Sequence, residues 1–167
     1  MRTSIAAGSI ALALSTLSTG FQLHAAEPTL ENGVSGKADH AITVYKSPNC
    51  SCCADWAEHL ENNGFDVTIE NTSNINEVKI QHQIPRDMAS CHTGIIDGLV
   101  IEGHVPADDI KAYLDSPSQP FGDNAVGLAV PGMPHGTPGM ETGRQDNYDV
   151  MAFTADGMAQ SVKRYEF

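Results

Sequence analysis

The chain has 167 residues, of which 41% are hydrophobic, 18% charged and 6% aromatic. This composition excludes collagen-like, low-complexity and largely disordered proteins and favours one globular domain. With 21 acidic against 9 basic residues, the formal net charge is -12. So negative a chain is predicted not to bind nucleic acid or anionic lipid, whereas it tolerates cations, metal ions included. The alternative is that the charge serves solubility alone.

Residues 1–26 have the layout of a secretory signal peptide. Arg2 provides a basic start, residues 5–17 form an apolar run, and small residues suited to cleavage follow. The apolar run is too short for a comfortable membrane span. We therefore expect residues 1–26 to be removed on export and residues 27–40 to form a flexible leader. An N-terminal anchor or core helix is the alternative. Export implies an oxidising compartment, where cysteines can pair or bind soft metals.

Hydrophobic periodicity predicts alternating strands and helices in the first part of the mature chain. The predicted elements are, in chain order, a strand at 41–45, a helix at 53–63, a strand at 65–70, a helix at 74–82, strands at 90–96 and 99–103, and a helix from Pro106. The first two strands need a crossover and should be parallel. The last two should form a hairpin, because Asp97-Gly98 suits a type I′ turn.

This order, β-α-β-α-β-β-α, is that of a thioredoxin-like fold in the α/β (α+β) class. We expect residues 41–167 to form a single domain, with a core at 41–115 and an extension at 116–167. Within the extension, residues 116–143 are rich in Pro and Gly and show no clear periodicity, which predicts a loop. A closing β-hairpin around Asp156-Gly157 is predicted for the rest of the chain.

Three of the four cysteines fall within Cys50-Ser51-Cys52-Cys53. Cys50 and Cys53 form a C-x-x-C motif at the start of a predicted helix, where free N–H groups and the helix dipole stabilise thiolates. A redox dithiol and a metal site would both use this placement. Because adjacent Cys52 and Cys53 pair only through a strained ring, the cluster favours soft ions, above all Cu(I). A structural disulfide framework is the alternative, since four cysteines allow three pairings.

The fourth cysteine, Cys91, is predicted to face the Cys50–Cys53 loop. In the thioredoxin-like order the third strand runs antiparallel to the first, so its beginning meets the end of the first strand. A two-residue Asp97-Gly98 turn also places Cys91 directly opposite His104 on one face of the hairpin. His104 is therefore a candidate ligand or proton partner, or else a structural histidine. By strand alternation, His92 is predicted to point to the opposite face.

A Pro-Gly-Met sequence occurs twice in the predicted loop, ending at Met133 and at Met140. Thioether sulfur is a soft neutral ligand suited to Cu(I), and the prolines would stiffen a loop that closes over a site. The alternative is that both methionines fill apolar gaps, since nothing in the sequence places this loop near Cys50.

Together these motifs resemble a family of small exported bacterial proteins, CopG-like or predicted to bind metal. The resemblance is carried, over about residues 41–153, by four motifs in order: Pro-Asn-Cys-Ser-Cys-Cys at 48–53, Ser-Cys-His-Thr at 90–93, Glu-Gly-His-Val-Pro at 102–106, and the Pro-Gly-Met pair. It implies a thioredoxin-like fold, a periplasmic location, an association with copper resistance, and Cu(I) bound by Cys50, Cys52, Cys53 and Cys91. Residues 91–93 stand where thioredoxins carry a cis-proline, which argues against ordinary disulfide exchange.

The sequence thus predicts a periplasmic copper-binding protein that holds Cu(I) on its four cysteines, with His104 as a further group. Its role would be copper resistance through buffering, transfer or redox conversion, and its partners copper ions and other periplasmic copper-handling proteins. One alternative is a thiol–disulfide oxidoreductase with Cys50 as nucleophile and Cys53 as resolving thiol. Another is a non-catalytic interaction module with structural cysteines.

Overall fold

The computed structural model describes residues 40–167, which all fall within one compact unit. The predicted signal peptide and the predicted leader up to residue 39 lie outside the described residues. His40, the last residue of the predicted leader, instead begins the first strand. In the described part of the chain, no helix is both long and apolar enough to cross a membrane.

Residues 40–167 form a mixed α/β structure with one seven-stranded sheet and three α-helices. The elements are β1 (His40–Lys46), α1 (Ser51–Asn62), β2 (Phe65–Asn71), α2 (Ile75–Gln81), β3 (Thr93–Ile96), β4 (Leu99–Glu102), α3 (Ala107–Leu114), β5 (Ala125–Ala129), β6 (Tyr148–Thr154) and β7 (Ala159–Tyr165). The strand order across the sheet is β2-β1-β3-β4-β5-β6-β7. As predicted, β1 and β2 are parallel, whereas β3 runs antiparallel to both β1 and β4.

The hairpin between β3 and β4 has the predicted two-residue turn. Asp97 and Gly98 both have positive φ, at 50° and 84°, and Ile96 pairs with Leu99 across the turn. The strand β3 begins at Thr93 rather than at Ser90 as predicted. The reason is that the Ser90 N–H is bonded to the carboxylate of Glu102 instead of to a neighbouring strand.

The strand β5 is the main element that the sequence prediction missed. It lies between β4 and β6 inside the segment predicted to be a loop, and its last three residues are buried. Its sequence, Ala-Val-Gly-Leu-Ala, has no polar alternation and only one β-branched residue, Val126, so it carries a weak strand signal. Gly127 sits so close to β4 that a Cβ there would overlap the carbonyl oxygen of Val100.

The helix α1 packs one face against the core. Its buried face is the predicted one, formed by Cys53, Trp56, Ala57 and Leu60. The Trp56 ring is fully buried in the larger hydrophobic cluster, and its Nε1–H donates a 2.9 Å hydrogen bond to the carbonyl of Val105. This bond joins α1 to the segment between β4 and α3.

Candidate metal centre

The Cys50–Cys53 loop lies where β1 ends and α1 begins. Cys50 is the N-cap residue of α1, and its N–H donates a 3.1 Å hydrogen bond to the carbonyl of Ser47. Cys50 and Cys53 form a disulfide bond, while Cys52 and Cys91 carry free thiols. The Cys52 sulfur lies 3.5 Å from the Cys50 sulfur, so the free thiol of Cys52 directly contacts the disulfide.

Cys91 joins this loop, although it is distant in sequence. The sulfur atoms of Cys50, Cys52, Cys53 and Cys91 all lie within 4.8 Å of one another, and we call these residues the cysteine cluster. The contact arises as the topology predicts, because β3 runs antiparallel to β1 and the segment leading into β3 therefore meets the end of β1. Once the disulfide is reduced, the cluster offers four thiols at one point, which is a donor set for soft metal ions.

His104 contacts Cys91, as the hairpin register predicted. The Nε2 atom of His104 lies 3.2 Å from the Cys91 sulfur, and the side chain is fully buried. Its other nitrogen, Nδ1, lies 2.8 Å from the carbonyl oxygen of Pro138. Because a carbonyl only accepts, Nδ1 carries the proton and Nε2 presents a lone pair toward Cys91. Burial lowers the pKa of His104, which keeps the imidazole neutral.

The prediction that His92 points to the opposite face is wrong. Its Nδ1 lies 3.2 Å from the Cys91 sulfur, and its ring centroid is 4.9 Å from that of His104. Strand alternation does not apply here, because β3 starts only at Thr93. Cys91, His92 and His104 thus form a second group, which we call the histidine group, with ligand atoms within 4.8 Å of one another. Adjacency to Cys91 was the only sequence signal for His92.

The imidazole of His92 is enclosed and lacks a full set of partners. Its ring packs against Trp56 with centroids 4.3 Å apart, and Nε2 has no hydrogen-bond partner among the described residues. The pKa of His92 lies well below its usual value, chiefly because of burial and then because of His104 and Lys79 nearby. His92 is therefore a neutral imidazole, the form that can bind a metal.

The Pro-Gly-Met loop lies over the first turn of α1, a placement that no sequence signal indicated. Pro138 accepts the His104 hydrogen bond, and the backbone of Gly139 packs against the carbonyl of Cys52 and the N–H of Trp56. Of the two methionines, Met133 is 52% exposed and Met140 is half-buried. The loop thus packs its backbone against the turn that carries Cys52, while a role of Met133 and Met140 as ligands stays a prediction.

Burial governs the protonation of Cys91. It raises the pKa of this thiol to about 11, with the neighbouring Cys52 as the second cause. Cys91 is therefore a neutral thiol at neutral pH and must lose its proton before it can bind a metal. The lone pair of His104 Nε2 is placed to receive that proton.

This α/β domain gathers four cysteines and two histidines near the N-terminus of α1, a donor set that could hold a metal ion or act in thiol redox chemistry. Two solved structures of the copper resistance protein CopG, Form 1 and Form 2, are each 47% identical to the chain with a TM-score of 0.69. Each match covers 76% of this chain and 98% of the CopG chain. This chain belongs to the CopG family.

Two further comparisons bear on the family. Residues 88–140 match a family model described as a protein of unknown function, DUF411. This range spans Cys91, His92, His104 and the Pro-Gly-Met loop, so the family model covers the part of the site that lies outside the Cys50–Cys53 loop. No sequence among the curated proteins matches the chain significantly.

Proposed function

We propose that this protein binds Cu(I) in the periplasm and serves copper resistance. The observation that carries this proposal is the convergence of four cysteine sulfurs within 4.8 Å in a member of the CopG family. Buffering, transfer or redox conversion of copper are the roles we propose for the site. Residues 1–26 would direct export, and residues 41–167 would act as one metal-binding domain with a thioredoxin-like core at 41–115.

The ligands we propose are Cys50, Cys52, Cys53 and Cys91, with His104 as a further group. Thiolates are soft ligands that prefer Cu(I), and a thiolate can bridge two metal ions, so four sulfurs can hold more than one copper. Because Cys91 belongs to both the cysteine cluster and the histidine group, it is the natural bridging ligand. His92 extends this set, and Met133 and Met140 are proposed as thioether ligands from the covering loop.

Full loading requires the Cys50–Cys53 disulfide to be reduced first. An external dithiol reductant would supply two electrons and two protons, becoming a disulfide itself as Cys50 and Cys53 become thiols, and each thiol then loses its proton as it binds copper. The disulfide form retains the free thiols of Cys52 and Cys91 only. Copper capacity is therefore expected to depend on the redox state of the cysteine pair.

Anaerobic Cu(I) titration of the reduced mature protein tests this function. We expect tight, cooperative binding of more than one Cu(I), far tighter than Zn(II), because clustered thiolates are soft and can bridge. Metal analysis, thiol counting and competition with a colorimetric Cu(I) chelator measure it. The disulfide form is the matched control and should bind less Cu(I). Equal or tighter Zn(II) binding by the reduced protein would contradict the proposal.

A second candidate function is thiol–disulfide exchange. The observation that favours it is the Cys50–Cys53 disulfide at the N-terminus of α1, where the helix stabilises a thiolate. In that mechanism the Cys50 thiolate would attack a substrate disulfide, and Cys53 would then resolve the mixed disulfide.

We expect slow reduction of insulin disulfides by the reduced protein. Cys52 lies 3.5 Å from Cys50 and would compete with Cys53 for a mixed disulfide. The Pro-Gly-Met loop also covers the turn that carries the motif. An insulin turbidity assay with thioredoxin as reference measures the rate. Turnover comparable to that of thioredoxin would favour the oxidoreductase over the copper-binding function.

A further inference from the structure

Behind the cysteine cluster lies a buried network of charged and polar groups that includes no candidate metal ligand. Its centre is Glu102, the last residue of β4, whose side chain is fully buried. Its Oε1 accepts hydrogen bonds from the Lys79 ammonium at 2.5 Å and from the Ser90 N–H at 2.6 Å. Its Oε2 accepts a 2.7 Å hydrogen bond from the Thr93 hydroxyl, which in turn accepts one from Lys79.

These bonds hold both ends of the segment that carries Cys91 and His92. Ser90 precedes the pair and Thr93 follows it, and the same carboxylate binds both. The backbone provides a further bond, from the Gly103 N–H to the His92 carbonyl at 3.1 Å. The Ser90 hydroxyl also donates a hydrogen bond to the carbonyl of Gly132, at the start of the Pro-Gly-Met loop. The position of Cys91 is thereby tied to Glu102.

The orientation of α2 indicates that the buried charge of Lys79 has a role other than stabilising the fold. Lys79 is the buried residue of α2, whereas its neighbour Ile80 is 77% exposed. A helix that buried the isoleucine instead would gain hydrophobic stabilisation without desolvating an ammonium group. Buried ion pairs add little net stability, because the desolvation penalty offsets the attraction between the charges. The benefit of the Lys79–Glu102 pair therefore lies in the geometry that it maintains rather than in stability.

We propose that Glu102 is a positioning residue for metal binding, which holds the Ser90–Thr93 segment so that Cys91 and His92 face the other cysteines. This inference rests on the proposed function, since it concerns the geometry of that site. Glu102 would not touch the metal. Lys79 neutralises its charge and binds the Thr93 hydroxyl, so the carboxylate can accept from Ser90 and Thr93 together. The loss of a hydrogen-bond partner that orients a metal ligand lowers metal affinity by about 10- to 100-fold.

Two variants test the network at different atoms. Glu102→Gln keeps the side-chain shape but loses the charge paired with Lys79, and Thr93→Val removes the hydroxyl that bonds to Glu102. We expect each to lower Cu(I) affinity of the reduced protein by about 10- to 100-fold, measured by chelator competition. Thr93→Ser keeps the hydroxyl and should therefore retain the wild-type Cu(I) affinity. If Glu102→Gln does not fold, Thr93→Val decides the test.

Thr154→Val is the matched control for a merely structural effect. Thr154 is also buried, and its hydroxyl also bonds to a carboxylate, that of Asp156, but it lies in the β6–β7 hairpin. Thermal unfolding of every variant is measured in the metal-free disulfide form. We expect Thr154→Val to lower the melting temperature without changing Cu(I) affinity. A loss of affinity in Thr154→Val equal to that in Thr93→Val would overturn the proposal.

A second readout does not depend on copper. In the metal-free disulfide form only Cys52 and Cys91 can be alkylated, so Cys52 is an internal control within the same molecule. We expect Glu102→Gln and Thr93→Val to raise the alkylation rate of Cys91 relative to that of Cys52, because a released segment exposes its thiol. An unchanged ratio in both variants would refute the positioning role. If wild-type protein binds no Cu(I) while the ratio changes as expected, the proposed function fails and the positioning of Cys91 stands.

Discussion

Cys91→Ser is expected to weaken Cu(I) binding at least as much as Cys50→Ser, despite the distance of Cys91 from the C-x-x-C motif in sequence. Cys91 is the one residue common to the cysteine cluster and to the histidine group. Its loss removes a thiolate and also the link between the four sulfurs and the two imidazoles. We expect Cu(I) affinity to fall by more than about 100-fold, since the loss of a residue that only orients a metal ligand already lowers metal affinity by about 10- to 100-fold. Chelator competition and metal stoichiometry measure the effect.

Ala89→Ser is a suitable control for Cys91→Ser. It adds a hydroxyl two residues away from Cys91, outside both groups of candidate ligands. We expect it to keep wild-type stoichiometry and affinity. If the Cys91 variant also keeps both values, Cys91 is not a ligand, and the contact between the segment before β3 and the end of β1 has no part in metal binding.

Gly139→Ala is expected to displace the Pro-Gly-Met loop from α1. A Cβ at Gly139 would lie 2.6 Å from the Cys52 carbonyl oxygen and 2.8 Å from the Trp56 nitrogen, both of which are backbone atoms that cannot move aside easily. Gly139 also has φ of +80°, which disfavours alanine. Strain and overpacking together should destabilise the fold by about 2–5 kcal/mol. The loop carries Pro138, so the hydrogen bond that orients His104 should be lost and Cu(I) affinity should fall.

Gly143→Ala separates the contact from the backbone strain. Gly143 has nearly the same φ, +82°, but a Cβ there would meet no atom within 4 Å. We expect it to cost only the conformational strain, about 1–2 kcal/mol, and to leave Cu(I) affinity unchanged. Urea unfolding and chelator competition on both variants measure these effects. Equal destabilisation by the two substitutions would mean that the loop does not press on α1.

The sequence alone was sufficient for the features that depend on local patterns. Alternating apolar runs predicted the element order from β1 to α3, and Asp97-Gly98 predicted the two-residue turn. From that turn the register followed, and with it the contact between Cys91 and His104. Strand direction likewise predicted that Cys91 meets the Cys50–Cys53 loop. These inferences succeeded because a turn and a strand period constrain every residue on the two strands they join.

Other parts of the site were decided only by the tertiary structure. His92 turns toward Cys91 because β3 begins only at Thr93. Before that residue, the Glu102 carboxylate binds the Ser90 N–H in place of a strand partner. The covering loop has no periodicity, so only its packing on α1 through Gly139 reveals where it lies. The same holds for the contact of Lys79 with Glu102, since a lysine on a short helix is ordinarily exposed. Such long-range contacts depend on the packing of several elements at once, and no local pattern in the chain encodes them.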